Sequence, residues 1–376
     1  MVVTAQRERH LCLAGIGAIG VSFGFARYGY GLFLPDLRTT FGLDGTAIGL
    51  IGSGTYVGYL LALTLAGVLA GRLGPRPLIV ASGVAATTGL ALVAFAPNLA
   101  VLVIGLLLAG TSSGWSWAPY SDAVRELVVE HRRDRVLAIV PNGTAFGMAI
   151  AGLLALAVPW RPAWVLFAAA ALAVTAYNAW LLRGLRRPEP QPRATRIRYV
   201  PAAGPLLVSA FLFGVQGSVY WTFAADLVDS NTDSDAAAPL FWTLVGIAGT
   251  GGLLTARTLA RLGLRHTHAL LFTMLAVAIA LLAIAPDATA AIGLSAVLYG
   301  PAFMAASAVL AVWSYRVFPS RPAAGFSAVV FFLGLGTIAG PVVFGVLADG
   351  IGVATTFLLA AALTLGTVSA RPPAAP

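Results

Sequence analysis

Lysine is absent from the 376 residues; all 23 basic residues are arginine. This excludes a P-loop, whose lysine reaches the nucleotide phosphates. There is one cysteine, Cys12, so no disulfide can close within the chain. Charged residues make up 10% of the sequence, against about 25% in an average soluble domain. The four histidines, His10, His131, His266 and His268, fall in predicted loops or at helix ends. No metal-ligand spacing and no nucleophile with its base appears. The expectation is a protein that is not an enzyme and that uses no cofactor and no metal.

What is present is apolar. Hydrophobic residues make up 59% of the chain and the mean hydropathy is +0.88, the composition of an integral membrane protein. A helix crosses a bilayer with about 20 apolar residues. Charge clusters and Pro/Gly breaks delimit twelve such segments: 10–34, 47–70, 77–96, 99–121, 136–159, 162–182, 200–225, 236–256, 267–285, 288–314, 322–348 and 351–370. Ala96-Pro97-Asn98 must separate segments 3 and 4, and Ala285-Pro286-Asp287 segments 9 and 10. The first segment follows Arg7 and Arg9, lacks a small-residue cleavage site, and reads as a retained helix.

Arginine placement sets the expected orientation. With both termini in the cytoplasm, twenty arginines lie inside, Arg38 and Arg161 outside, and Arg27 within the membrane. This satisfies the positive-inside rule. The net charge of +9 is then topological, and a nucleic-acid partner is not expected. The basic, Pro-rich stretch 183–199 reads as a cytoplasmic linker between residues 1–182 and 200–376, each a six-helix bundle.

The two parts repeat. Phe23, Gly24, Tyr30, Phe33, Asp36 and Leu37 recur 190 positions later as Phe213, Gly214, Tyr220, Phe223, Asp226 and Leu227. Leu69-Ala-Gly-Arg-Leu-Gly-Pro-Arg76 has its counterpart in Leu259-Ala-Arg-Leu-Gly-Leu-Arg265. Gly143, Gly147 and Gly152 are spaced like Gly336, Gly340 and Gly345. Parallel repeats imply a substrate site between them near the midplane.

This pattern resembles the major facilitator superfamily over essentially the whole chain. The stretch 67–76, GVLAGRLGPR, is similar to the family signature G-x-L-a-D-r-x-G-r-r, with Gly71 at its acidic position. The helix 5 antiporter motif is matched only by its glycines, and helix 4 lacks the arginine of proton-coupled drug antiporters. The first helix is similar to the YbfB-like and cyanate-transporter-like branch, which shares R-[YF]-x-Y-x-L-x-L-P. The resemblance implies an all-α membrane fold of twelve helices in two pseudo-symmetric bundles, with helices 1, 4, 7 and 10 lining a cavity.

The organising stretch is 20–36, GVSFGFARYGYGLFLPD, with Arg27 in mid-membrane. A charge there costs at least roughly 2.5–3.5 kcal/mol on insertion scales. Phe23, Arg27 and Tyr30 share one helix face. With Trp115, Asn142, Gln216, Tyr220 and Tyr299 they form the candidate substrate-binding set. Aromatic walls with few polar handles suit a small, partly apolar ligand, and a guanidinium suits a carboxylate. Arg27 could instead snorkel to the surface or pair structurally. Arg72, Arg76, Asp122, Arg125 and Glu126 form a candidate cytoplasmic gating network. Asp122 reads first as a structural ion pair with Arg125 at the helix end, and it is also the candidate proton site.

The expected function is secondary transport of a small organic, anionic solute by alternating access across the bacterial cytoplasmic membrane, by a monomer. A proton-coupled efflux antiporter, with Asp122 or Asp226 titrating, is one alternative. A transporter-shaped membrane receptor without flux is another.

Overall fold

A computed structural model describes residues 5–185, 203–319 and 322–372. Most of the predicted linker 183–199 lies outside these residues. The described chain is helical without a strand. In order it comprises α1 (Ala5–Ile19), a π-helical turn (Gly20–Phe25), α2 (Gly29–Leu32), α3 (Leu34–Phe41), α4 (Gly45–Leu73), α5 (Pro75–Ala94), α6 (Leu99–Leu127) and α7 (Glu130–Ile139). There follow α8 (Gly143–Ala157), α9 (Trp160–Leu181), α10 (Gly204–Asp229), α11 (Ala237–Gly249), α12 (Thr255–Ile284), α13 (Thr289–Val317), α14 (Pro322–Ile351) and α15 (Val353–Gly366). Among the described residues, nine helical runs are long and apolar enough to span a membrane, and Val353–Ser369 is a shorter apolar helix.

The breaks have local causes. Asn98 caps α6, its side chain accepting from the Val101 amide at 3.1 Å, so Ala96-Pro97-Asn98 does turn the chain. Pro75 opens α5, where its missing N–H costs nothing. Before it, Gly74 sits at φ 77°, ψ 175°. Gly263 takes φ 70°, ψ 171° inside α12 and breaks it. That backbone region is essentially restricted to glycine. The two positions are equivalent in the sequence repeat, so the repeat extends to backbone conformation. A Cβ on Gly263 would meet nothing within 4 Å. Gly263→Val should therefore cost the backbone strain alone, about 1–3 kcal/mol, readable as a lowered unfolding midpoint in detergent.

The chain folds into two compact units. Met1–Asp36 and Gly54–Pro192 form the first; Leu37–Ser53 and Arg193–Pro376 form the second. In the first, α5 packs on α6 and α9, and the π turn lies on α8. Its core holds Phe25 stacked on Phe167 at 4.4 Å, with Phe33 and Trp164 against the same ring. In the second, α10 packs on α14, α12 on α13 and α15, and α11 on α13. Leu13, Leu61, Ile104, Leu153 and Leu172 are exposed. An apolar exterior of this kind is what hydrocarbon solvates.

Candidate functional site around Arg27

The first helix is not continuous around its arginine. The amide of Ala26 donates to the Val21 carbonyl at 2.9 Å, and that of Tyr28 to the Phe23 carbonyl at 3.0 Å. These five-residue bonds define a wide turn, a feature frequent at functional sites. Its cause is close packing. A Cβ on Gly24 would lie 2.6 Å from the Gly147 Cα, so the two backbones are in direct contact. Arg27 follows the π turn, before α2 begins.

Four rings surround the guanidinium. Its carbon lies 4.0 Å from the Tyr59 centroid, 4.7 Å from Tyr56, 5.5 Å from Phe23 and 5.9 Å from Tyr28. Nη1 donates to the Ser113 hydroxyl at 3.2 Å, while that hydroxyl donates to the Gly110 carbonyl at 3.2 Å. Nε is buried and has no acceptor. Among the described residues no carboxylate forms an ion pair with Arg27. The side chain nonetheless keeps part of its surface accessible.

Cation–π contacts contribute about 0.5–2 kcal/mol each. Four of them offset an insertion cost of roughly 2.5–3.5 kcal/mol, so the charge is tolerable here without a counterion. They do not cancel it. A buried guanidinium N–H without an acceptor invites an anionic oxygen. Tyr56, Tyr59 and Ser113 were absent from the residues expected from sequence. The visible signal was Tyr56-Val-Gly-Tyr59, two phenols three residues apart in the middle of an apolar helix. Tyr59→Phe should keep anion binding near wild type, whereas Tyr59→Leu should weaken it about 2- to 30-fold, as read by calorimetric titration.

The other expected residues fall in several places. Phe23 meets Trp117 edge-on at 5.7 Å, and Tyr30 is buried in the first unit. Trp115 is partly exposed on α6, and Asn142 donates to the Ile139 carbonyl at 3.2 Å. Gln216, Tyr220 and Tyr299 come together in the second unit and are fully buried there. Tyr220 and Tyr299 stack at 3.4 Å, and Tyr299 donates to Gln216 Oε1 at 3.1 Å. Tyr220 also hydrogen-bonds Ser295 at 3.0 Å. Asp122 stands exposed, 3.7 Å from Arg125. Arg76 donates to the Ala179 carbonyl at 3.2 Å, and Arg72 is exposed. Glu126 is exposed on the same turn of α6. His268, expected at a helix end, is buried against Phe272 and Trp313 with Ser209 at 3.4 Å.

A second charged cluster ties residues 37–53 into the second unit. Arg38 Nη1 lies 2.5 Å from Asp226 Oδ2. Asp349 caps α4, accepting from the Gly45 and Thr46 amides at 2.9 and 2.8 Å and from the Thr46 hydroxyl at 2.6 Å. Ser53 inserts into α14 beside Pro341. Its hydroxyl donates to the Ile338 carbonyl at 2.6 Å and accepts from the Val342 amide at 3.1 Å. Asp226 is 3% exposed, so removing Arg38 leaves a carboxylate without its partner. A cycle of Arg38→Met and Asp226→Asn should give a coupling of about 1–3 kcal/mol in unfolding, the lower figure because Arg38 is a third exposed.

Apolar helices of membrane length in two compact units, one of them holding an arginine among four rings, are what a membrane transporter presents. The chain belongs to the major facilitator superfamily: residues 19–370 match the family described as "Uncharacterised MFS-type transporter YbfB". Such transporters are not enzymes. The chain is 28% identical over 361 residues to the "Transcription regulatory protein OpdE" of Pseudomonas aeruginosa, covering 90% of this chain and 88% of that protein. It is 28% identical over 134 residues to the "Probable 4-methylmuconolactone transporter" of Cupriavidus pinatubonensis, 35% of this chain and 31% of that one. Human "Monocarboxylate transporter 11" is 31% identical over 170 residues, 43% of this chain and 35% of that one. In fold it is similar to the nucleoside transporter NupG D323A mutant, with TM-score 0.78 and 15% identity over 97% of this chain and 98% of that one. A POT family transporter in complex with 5-aminolevulinic acid superimposes with TM-score 0.79 and 12% identity over 96% and 95% of the two chains.

Proposed function

We propose that this protein is a secondary transporter that carries a small organic monocarboxylate by alternating access, with Arg27 holding the carboxylate. The carrying observation is the guanidinium of Arg27, ringed by Tyr59, Tyr56, Phe23 and Tyr28, bonded to Ser113 and without a carboxylate partner among the described residues. An oxygen pair from substrate would take Nε and the adjacent N–H, the bidentate geometry guanidinium favours. The rings would bury the apolar part of the ligand. A relative named for monocarboxylates supports the same substrate class.

The topology belongs to this proposal. Joining α1 through α2 as one crossing and dividing the run Ala237–Ile284 at Gly263 gives twelve crossings, with α15 as the last. Twenty arginines then face the cytoplasm with both termini, in a bacterial inner membrane.

The test compares acids with their neutral isosteres. Lactate and 4-hydroxybenzoate should raise the unfolding midpoint of the purified protein, as ligands that bind only the folded state do. Lactamide and 4-hydroxybenzamide should leave it unchanged. If the amides match the acids, charge recognition by Arg27 is wrong.

A further inference from the structure

We infer that the transporter is an obligatory exchanger of monoanions, swapping one for another without moving net charge. The inference rests on the reading of Arg27 as the anion site. Its physical basis is the electrostatic state of the empty site. The four rings around Arg27 stabilise its charge without neutralising it, and Ser113 contributes a neutral oxygen. Among the described residues of its own unit, no acid forms an ion pair with Arg27. Glu8 pairs with Arg132, Asp122 pairs with Arg125, and both pairs lie at helix ends. The sequence offers no acid inside the apolar stretch of the first helix, nor between residues 99 and 121 of α6.

An empty site therefore carries one positive charge. Alternating access requires the site to pass through a closed state from which water is excluded. A bare guanidinium enters it with only the neutral rings and Ser113 to offset its desolvation cost, because no carboxylate among the described residues accompanies it. A bound monocarboxylate supplies that counterion and brings the site to zero. A dianion would overshoot and leave a negative charge; a neutral solute would leave the positive one. The loaded carrier therefore crosses readily and the empty carrier is held back. Return occurs on another monoanion, in a ratio of one to one.

The experiment uses the full chain in proteoliposomes at pH 8, with labelled lactate or 4-hydroxybenzoate outside. Vesicles are filled with buffer or with the same unlabelled anion. Preloaded vesicles should take up label at least about tenfold faster. A potassium diffusion potential imposed with valinomycin should leave that rate unchanged. Equal rates into loaded and unloaded vesicles, or uptake driven by the potential, would overturn exchange while leaving the anion site intact. If neither acid raises the unfolding midpoint nor moves, the anion site itself is wrong and exchange falls with it. Ser113→Asp gives an independent reading, because its carboxylate would stand where Nη1 of Arg27 now donates. Flux should fall, and the ratio of preloaded to unloaded rates should drop towards one. A ratio that stays near the wild-type value would overturn the charge argument.

Discussion

Arg27→Gln should lower the affinity for a carboxylate about 30-fold or more while leaving the protein folded. Glutamine keeps a hydrogen-bond donor and most of the side-chain volume, so the rings of Tyr56 and Tyr59 retain a neighbour. What it removes is the charge and the two-pronged geometry that a carboxylate matches. Losing one partner of a desolvated charge pair costs about 2–5 kcal/mol, or roughly 30- to several-thousand-fold in affinity. Stability should move the other way. The guanidinium has a buried N–H without an acceptor and no ion pair among the described residues, so its removal deletes a penalty that counterbalances the loss of its four ring contacts. The unfolding midpoint of the unliganded variant should equal or exceed that of the wild type. Arg27→Lys should fall between the two in affinity, keeping the charge but losing the fork. Calorimetric titration and thermal unfolding measure both quantities. An affinity within threefold of wild type for Arg27→Gln would remove Arg27 from the site.

The parts legible from sequence were those set by local pattern. Apolar runs of membrane length marked the nine described helical runs long enough to span and the shorter Val353–Ser369, and Asn98 and Pro75 behave at their helix starts as their types dictate. The repeat was legible because it recurs at near-constant offset, and Gly74 and Gly263 share a backbone conformation for the same reason. Arg27 stood out as a charge in an apolar stretch. Its companions did not. Tyr56 and Tyr59 are neutral, lie on a helix not expected to line a cavity, and match the aromatic content of any membrane helix. Only folding brings them within 5 Å of the guanidinium. The attachment of residues 37–53 to α10 and α14 was equally hidden, since Arg38 and Asp226 are 188 positions apart. The π turn escaped because its hydrogen-bond pattern follows from contact with α8, and no residue type encodes it. His268 looked like a loop residue beside Arg265 and His266, yet aromatic packing encloses it.

That π turn carries the second large effect. Gly24→Ala should destabilise the protein by about 1–3 kcal/mol and weaken anion binding together. The new methyl would lie 2.6 Å from the Gly147 Cα, 2.7 Å from its carbonyl carbon and 3.0 Å from the Met148 amide nitrogen. All three are backbone atoms, so no rotamer change relieves the clash. The π turn and α8 must separate, and Arg27 lies only three residues further on. Gly147→Ala should act alike, because its Cβ would meet the Gly20 carbonyl oxygen at 2.6 Å. The control is Gly71→Ala, where an added Cβ meets nothing within 4 Å in a regular helix. There alanine should be neutral or stabilising by up to about 1 kcal/mol. Unfolding midpoints for the three variants rank the contact directly, and titration of Gly24→Ala with 4-hydroxybenzoate reads its reach to the site. If Gly24→Ala matched Gly71→Ala in both, the backbone contact would not be what positions the arginine. Its aim would then have to come from Ser113 and the tyrosines alone.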